Sequence, residues 1–280
     1  MNKFKNCVAV VTGAGSGIGR QLAYQLAEHG AKLAISDINK SNLDTTEAEI
    51  VKRGAEVLSS SFDVADEHSV FAFADAIEQH YGEVNLVINN AGVGLAAGPL
   101  WTTPLEDFKW LMNINFYGVL YGTKAFLPIM QKADWGHIVN ISSIFGIVSV
   151  PNQTAYNASK FAVRGMTDAL RHELELEGSS ISCTTVHPGG IKTNIARSAR
   201  VSDNGERDNT QKHAQSVIEF DKLARTTADK AASEILKAVL KNKRRLLIGA
   251  DAKFLDKVQR IWPTAYLQLL TLMFGKATQP

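Results

Sequence analysis

A doubly wound, parallel α/β sheet in a single domain is the fold this sequence predicts. Three observations predict it. Short, continuously apolar runs of β-forming residues recur along the chain. Helical stretches with apolar residues three or four apart alternate with them. A run of glycines joins the first strand to the first helix. An unbroken apolar run implies a strand covered on both faces, as in parallel sheets. Right-handed crossovers then place helices on the two faces. With 280 residues, 45% of them hydrophobic, the chain can bury one large core.

Val8 to Val11 reads as the first buried strand, and Ile18, Leu22 and Leu26 follow at helical spacing. Leu33 to Ser36 is the second strand, and Leu43 to Arg53 a helix stopped at Gly54. Next come a strand from Glu56 to Ser60, a helix from Val70 to Tyr81 stopped at Gly82, and a strand from Leu86 to Ile88. One long helix is expected from Leu105 to Met130, with Pro104 near its start. The strand Ile138 to Ile141 is followed by the helix Tyr156 to Glu177, stopped at Gly178, and the strand Ile181 to Val186. The helix Ala228 to Leu240 and the strand Leu246 to Ile248 complete the alternation. Arg197 to Arg225 interrupts it. This stretch is polar and weakly periodic, and reads as a mobile loop or short helical lid. After Gly249 the tail is rich in apolar residues, among them Phe254, Leu255, Ile261, Trp262, Tyr266, Leu267, Leu269, Leu270, Leu272, Met273 and Phe274.

Composition narrows the function classes. The net charge of +2, with both signs interspersed, lacks the basic stripe that nucleic acid requires. The one basic cluster, Lys241 to Arg245, reads as a solvated helix end, with an anionic-membrane contact as the alternative. The two cysteines, Cys7 and Cys183, sit in apolar runs without a C-x-x-C, so no metal site or disulfide scaffold is expected, and a cytoplasmic setting fits. The basic start followed by Cys7 to Val11 lacks the length and cleavage site of a secretory signal. No stretch reaches the roughly 20 apolar residues of a membrane span.

The first strand runs into Thr12-Gly13-Ala14-Gly15-Ser16-Gly17-Ile18-Gly19. Glycines there let the backbone turn sharply and approach a pyrophosphate, and the next helix aims free N–H groups at that anion. This marks the fold as Rossmann-type. Strict G-x-G-x-x-G fails, because Ile18 and Arg20 stand where the third glycine would be. T-G-x-x-x-G-x-G fits through Thr12, Gly13, Gly17 and Gly19. Asp37 ends the second strand, where a carboxylate can accept hydrogen bonds from an adenosine ribose and repel a 2′-phosphate by about 1–4 kcal/mol. That favours NAD over NADP. A turn or capping role for Asp37 is the alternative, and Lys40 or Arg20 could serve a 2′-phosphate.

Tyr156-Asn157-Ala158-Ser159-Lys160 is Y-x-x-x-K, and on a helix positions i and i+4 share a face. An ammonium there favours the ionised form of the phenol. Ser143 lies 13 residues before Tyr156 at a strand end, with Ser142 as its rival. Asn115 lies in the long helix. Asp63-Val64, Asn89-Asn90-Ala91-Gly92 and Pro188-Gly189-Gly190-Ile191-Lys192-Thr193 each follow a strand. In this order the motifs resemble the short-chain dehydrogenase/reductase family, in its short branch, over about Lys5 to Asn194.

The resemblance implies roles. Tyr156 would be the general acid/base. Lys160 would lower its pKa and bind the nicotinamide ribose. Ser143 would hydrogen-bond the substrate oxygen, and Asn115 would hold a water that relays protons from Lys160. Thr12, Gly13, Ser16, Gly17, Ile18, Gly19, Asp37, Asp63, Val64, Asn90, Ala91, Gly92, Pro188, Gly189, Ile191 and Thr193 would line the dinucleotide. Ile191 and Thr193 would fix the carboxamide.

The expected reaction interconverts a primary or secondary alcohol and its aldehyde or ketone with NAD(H). An NADP-preferring carbonyl reductase and a catalytically silent dinucleotide-binding sensor are the competing readings. An epimerase or dehydratase of the family's extended branch fits the glycine pattern less well. Residues 1–250 would form the catalytic domain, with a substrate lid at about 195–225 and an apolar tail at 251–280. Leu95 to Leu100, Ile144 to Val150, Asn152 and the lid would supply a pocket for a hydrophobic substrate. The tail would cover that pocket, pack in an oligomer or contact a lipid surface. The family commonly forms homotetramers or homodimers, here through Leu105 to Met130 and Phe161 to Glu177. His172 and His187 read as structural.

Overall fold

The computed structural model describes residues 3–203 and 209–268. β1 (Val8–Thr12) leads through the glycine turn into α1 (Gly17–Glu28), followed by β2 (Lys32–Asp37), α2 (Lys40–Lys52), β3 (Val57–Ser61), α3 (Glu67–Tyr81), β4 (Leu86–Asn89) and the short β5 (Leu95–Ala96). α4 (Leu105–Met112), a π-helical turn (Asn113–Tyr117) and α5 (Gly118–Met130) precede β6 (Gly136–Ile141). A 3-10 turn (Ile144–Gly146) then leads to α6 (Thr154–Leu176), β7 (Ile181–Pro188), β8 (Ile191–Lys192) and β9 (Arg200–Val201). The chain closes with α7 (Asn209–Leu223), β10 (Thr226–Thr227), α8 (Ala228–Leu240), β11 (Arg245–Ile248) and α9 (Ala250–Ile261).

The central sheet has seven strands in the order β11-β7-β6-β4-β1-β2-β3, all parallel. It is a Rossmann-type α/β fold, and its strand order reverses between β1 and β4. Ligands of such sheets bind outside the carboxyl ends of the strands at that reversal. The unbroken apolar runs divide by alternation. Ala9, Val11, Leu33, Ile35, Leu86 and Ile88 face one core with Leu22 and Leu26 of α1 and Ile235 and Leu236 of α8. Val8, Val10, Ala34 and Val87 face the other, with Phe73 and Ile77 of α3 and Phe126 and Ile129 of α5. β1 and β4 therefore have no solvent face and no reason to carry a polar residue before their ends.

One segment departs from the sequence expectation, and a second is more structured than a loop. The helix expected from Leu105 to Met130 is interrupted by the π-helical turn at Asn113–Tyr117. Its cause is Asn115, which is fully buried. Asn115 Oδ1 accepts from Val93 N at 2.8 Å and its Nδ2 donates to Val93 O at 2.9 Å. The wider turn brings the amide inward to meet that backbone. The second segment is Arg197 to Arg225. It carries a 15-residue helix, α7, between two small parallel sheets. β9 pairs with β5, and β10 pairs with β8.

The tail begins as part of the fold. Ala252, Val258 and Tyr266 are buried against Ile144, Ile147 and Val148. Leu269, Leu270, Leu272, Met273 and Phe274 lie outside the described residues. Among the described residues, no helix is long and apolar enough to cross a membrane.

Candidate functional site

The glycine turn is held by its neighbours across the strand-order reversal. Thr12 Oγ1 accepts from Asn90 N at 3.0 Å and from Ala91 N at 3.1 Å. Asn90 Nδ2 donates back to Thr12 O at 2.9 Å and to Gly13 O at 3.2 Å. The Asn90 side chain is therefore taken up by the turn, and only its backbone is left to face a ligand. Gly13 and Gly17 have φ of +66° and +53°, a region that L side chains rarely adopt. A Cβ on Gly19 would overlap the Gly13 carbonyl oxygen. Ser16 opens α1 without a side-chain cap, and the first turn holds no acid. Uncapped N–H groups beside a side-chain-free turn fit a pyrophosphate.

Around this turn stand the other expected cofactor residues. Asp37 Oδ2 accepts from Gly15 N at 2.8 Å, and Oδ1 from Asn39 N at 2.8 Å. Gly15 was not singled out from the sequence, yet a Cβ there would meet the Asp37 carboxylate at 2.7 Å. Arg20 is held by the Gly15 and Asn42 carbonyls and by Thr46 Oγ1. Lys40 is paired with Asp44 at 2.6 Å. Both cations considered for a 2′-phosphate are thus engaged elsewhere. Asp63 Oδ1 caps Ala65 N at 2.9 Å, and Val64 is buried against Gly118. Thr193 comes to Gly17, where a Cβ would lie 3.2 Å from its Cγ2. The segment from Pro188 to Thr193 therefore closes the second side of one cleft. Asp251 of α9 holds it, with Oδ2 accepting from Gly190 N at 2.6 Å.

The structure brings Ser143, Tyr156, Lys160 and Asn115 together at the carboxyl ends of β4 and β6. Ser143 follows β6 and caps the 3-10 turn, its Oγ accepting from Phe145 N at 3.1 Å. Tyr156 and Lys160 lie one turn apart near the start of α6. Tyr156 neighbours Ser143, whose hydroxyl favours the ionised phenol, and its ring meets Phe145 edge-on at 6.2 Å. Lys160 is 3% exposed and its Nζ lies 5.6 Å from the Tyr156 ring centroid. One of its three protons goes to Ile141 O at 3.0 Å. Seen from the position a Cβ on Gly92 would take, Asn115 Oδ1 is 3.1 Å away and Lys160 Nζ 3.5 Å away. Gly92 thus leaves the floor open where the amine and amide converge. Geometry also separates the two serines, because Ser142 Oγ donates to Lys160 O at 2.8 Å. Ser143 keeps its hydroxyl toward Tyr156.

Electrostatics in this site differ from the sequence expectation in one respect. The expectation is that Lys160 brings the phenol down. Here burial pushes Tyr156 up to about 12, with only the Ser143 hydrogen bond opposing it. Burial also brings Lys160 down to about 8. In a dry site both charged forms are penalised, and the amine has its own nearest acceptor in the Ile141 carbonyl.

A small cavity beside Tyr156 is lined by Leu95, Ala97, Gly98, Thr103, Asn152 and Gln153, together with Thr154 and Ala155. Ile144, Ile147 and Val148, expected in the pocket, instead pack under α9 with Ala252, Val258 and Tyr266. Their burial follows from Tyr266, whose hydroxyl accepts from Ser149 N at 3.1 Å. The segment around β9 is tied down beside the cavity. Arg200 N donates to Gly94 O at 3.2 Å, Asp107 accepts from Ser202 Oγ at 2.5 Å, and the Arg200 guanidinium lies 3.8 Å over Trp110. Asp107 and Asp251 carry no local motif that would mark them, and Tyr266 stands out only as one apolar residue of the tail.

Comparison with known proteins bears on this arrangement. A family model described as short chain dehydrogenase matches residues 7–204. A Mycobacterium tuberculosis protein named as an oxidoreductase, SadH, is 44% identical over 278 residues, spanning 99% of this chain and 98% of that protein. A protein of Lactiplantibacillus plantarum named CLA biosynthesis dehydrogenase/reductase is 35% identical over 275 residues, spanning 93% and 95%. Among solved structures, a short chain dehydrogenase/reductase from Burkholderia phymatum in complex with NAD superposes with a TM-score of 0.86. It is 31% identical, with 94% of this chain and 96% of that one covered.

Proposed function

The chain belongs to the short-chain dehydrogenase family, and from that premise we propose that it interconverts an alcohol and its ketone or aldehyde with NAD(H), Tyr156 exchanging the proton. It is an oxidoreductase of that family and binds NAD(P). The observation that carries the finer reading is the buried Lys160 amine 5.6 Å from the Tyr156 ring on one helix face, with Ser143 beside the phenol. A sensor that had given up turnover would have no need to keep all three.

When bound, the nicotinamide supplies the hydride acceptor or donor, and in its oxidised form a positive charge. The rest falls to the chain. Ser143 Oγ holds the substrate oxygen and steadies the negative charge that develops on it. Tyr156 Oη, protonated at neutral pH, gives its proton to that oxygen in reduction and takes it back in oxidation. Lys160, with two protons left after Ile141 O, orients the ribose and favours the phenolate. Asn115 closes the pocket behind Lys160 and supports the path by which its protons reach solvent. The glycine turn, Asp63-Val64, Ala91-Gly92 and Pro188 to Thr193 hold the dinucleotide.

NAD is the preferred form in this reading. Asp37 puts a carboxylate at the ribose end, and Arg20 and Lys40 are engaged. The substrate is a hydrophobic alcohol or carbonyl, entering beside Leu95 and Ala97, with Leu100 and Trp101 exposed at the next turn of chain. The assembly is a homodimer or homotetramer. The exposed Phe254, Ile261 and Trp262, flanked by Lys253, Lys257 and Arg260, support a further contact with a partner copy or an anionic lipid surface.

The test is a panel of hydrophobic alcohols and ketones, read at the reduced-nicotinamide absorbance band, with NAD and NADP in parallel. Turnover with NAD on apolar substrates is expected. Activity confined to sugars or polyols, or no turnover with either coenzyme, overturns the reading.

A further inference from the structure

One buried titratable side chain touches the site and takes no part in the chemistry above. His187 is the penultimate residue of β7, immediately before Pro188, and is fully buried. Its Nδ1 lies 2.9 Å from the Ser143 carbonyl oxygen. A carbonyl can only accept, so Nδ1 carries the hydrogen and the tautomer is fixed. Nε2 then presents a bare lone pair, and among the described residues nothing bonds to it. A proton there would be a buried donor without a partner, so the ring stays neutral, and burial takes it down to about 4. The charged groups around it are Arg164 and Asp168 on α6 and Arg245 on β11.

Ser143 sits where the sheet ends and the 3-10 turn begins. Its carbonyl accepts from Gly146 N at 2.9 Å within the turn and from His187 across the sheet. Only the second bond ties the serine to a neighbouring strand through a side chain. The other hydrogen bonds at the Ser143–Ile144 peptide all lie within its own turn.

We propose that His187 is a positioning residue, whose neutral imidazole locks the Ser143–Ile144 peptide from β7 and so holds the Ser143 hydroxyl toward Tyr156 and the substrate oxygen. This rests on the reading of Ser143 as the group that binds that oxygen.

Three substitutions test it in the full chain. His187→Asn places an amide N–H close to where Nδ1–H stands. His187→Gln carries its amide further out, toward the place of Nε2. His187→Leu fills the space with no donor. His187→Asn is expected to keep kcat within about threefold, and the other two to lose about 10- to 100-fold in kcat. The dissociation constant for the dinucleotide should stay within about twofold in all three, because the glycine turn is untouched. A His187→Leu protein that melts no higher than wild type yet turns over as fast as His187→Asn overturns the proposal, since packing alone would then explain the histidine. Added to Ser143→Ala, His187→Leu should cost almost nothing further in kcat, whereas the full single-mutant loss on that background overturns it. Undiminished activity in Ser143→Ala would remove the functional reading and this inference together. An inactive Ser143→Ala beside a fully active His187→Leu removes this inference alone.

Discussion

Tyr156 and Lys160 titrate in opposite directions from their ordinary values for one reason, the dryness of the site. Alcohol oxidation needs the phenol to lose a proton that burial helps it keep. Its kcat/KM should therefore climb with pH across neutrality, while carbonyl reduction holds level over the same range. Initial rates from pH 6 to 9 in both directions check this, and an oxidation rate falling with pH contradicts it. Tyr156→Phe should lower kcat by about 10²–10⁴ while a fluorescence titration shows dinucleotide affinity unchanged. His137 and His187 bear on stability. Both are buried and pushed down, to about 3 and about 4. Their folded values lie below the unfolded value of about 6.5, so the stability they support is present above pH 6.5 and lost as pH falls toward 4. Each can remove about 1.4 kcal/mol per pH unit across that window. Urea midpoints measured from pH 7 to 4.5 should drop accordingly. Among single residues the sequence was most legible where a motif gave order and spacing, as for Tyr156 and Lys160. Spacing to Tyr156 favours Ser143 over Ser142, but the reason Ser142 is occupied, a bond to the Lys160 carbonyl 18 residues away, has no local sequence signal.

The glycine turn is an element whose shape forbids side chains. Gly19→Ala should force α1 away from β1, because the added methyl overlaps the Gly13 carbonyl. A rise of at least tenfold in dinucleotide Kd and a loss of about 1–3 kcal/mol in stability are expected, read by titration and melting. At the end of β2, Asp37→Asn keeps an acceptor and removes the charge. The NADP-to-NAD ratio of kcat/KM should rise by roughly fivefold to several hundredfold, matching about 1–4 kcal/mol of relieved repulsion. Parallel kinetics with the two coenzymes measure it. The strands were readable to within a residue or two because being buried on both faces leaves an unbroken apolar run. The π-helical turn was not readable, since Asn115 finds its partner in the Val93 backbone, 22 residues away. Two-residue strands such as β5 and β8 are shorter than any period and exist only as pairs with distant chain.

At the scale of the molecule, α9 and Tyr266 join the C-terminal segment to the segment that carries Ser143. A chain ending at Gly249 would strip the cover from Ile144, Ile147 and Val148. It should lose several kcal/mol, at about 1.5–3 kcal/mol per large buried side chain, and most of its turnover. Tyr266→Phe keeps the packing and removes only the bond to Ser149 N, so it should retain the fold and lose kcat modestly. Melting and steady-state kinetics on the two variants separate the contributions. The sequence showed the tail to be apolar without showing what it covers, because Ile144, Ile147 and Val148 lie more than a hundred residues back along the chain. The stretch between β9 and β10 invites a different thought. It leaves the body at a backbone seam beside the cavity and returns at another beside the coenzyme cleft, and both seams are main chain paired with main chain. Such stitching is indifferent to the identity of what it encloses. On the proposed function, exchange of that stretch as a cassette is expected to change which substrate is accepted without disturbing the reacting groups.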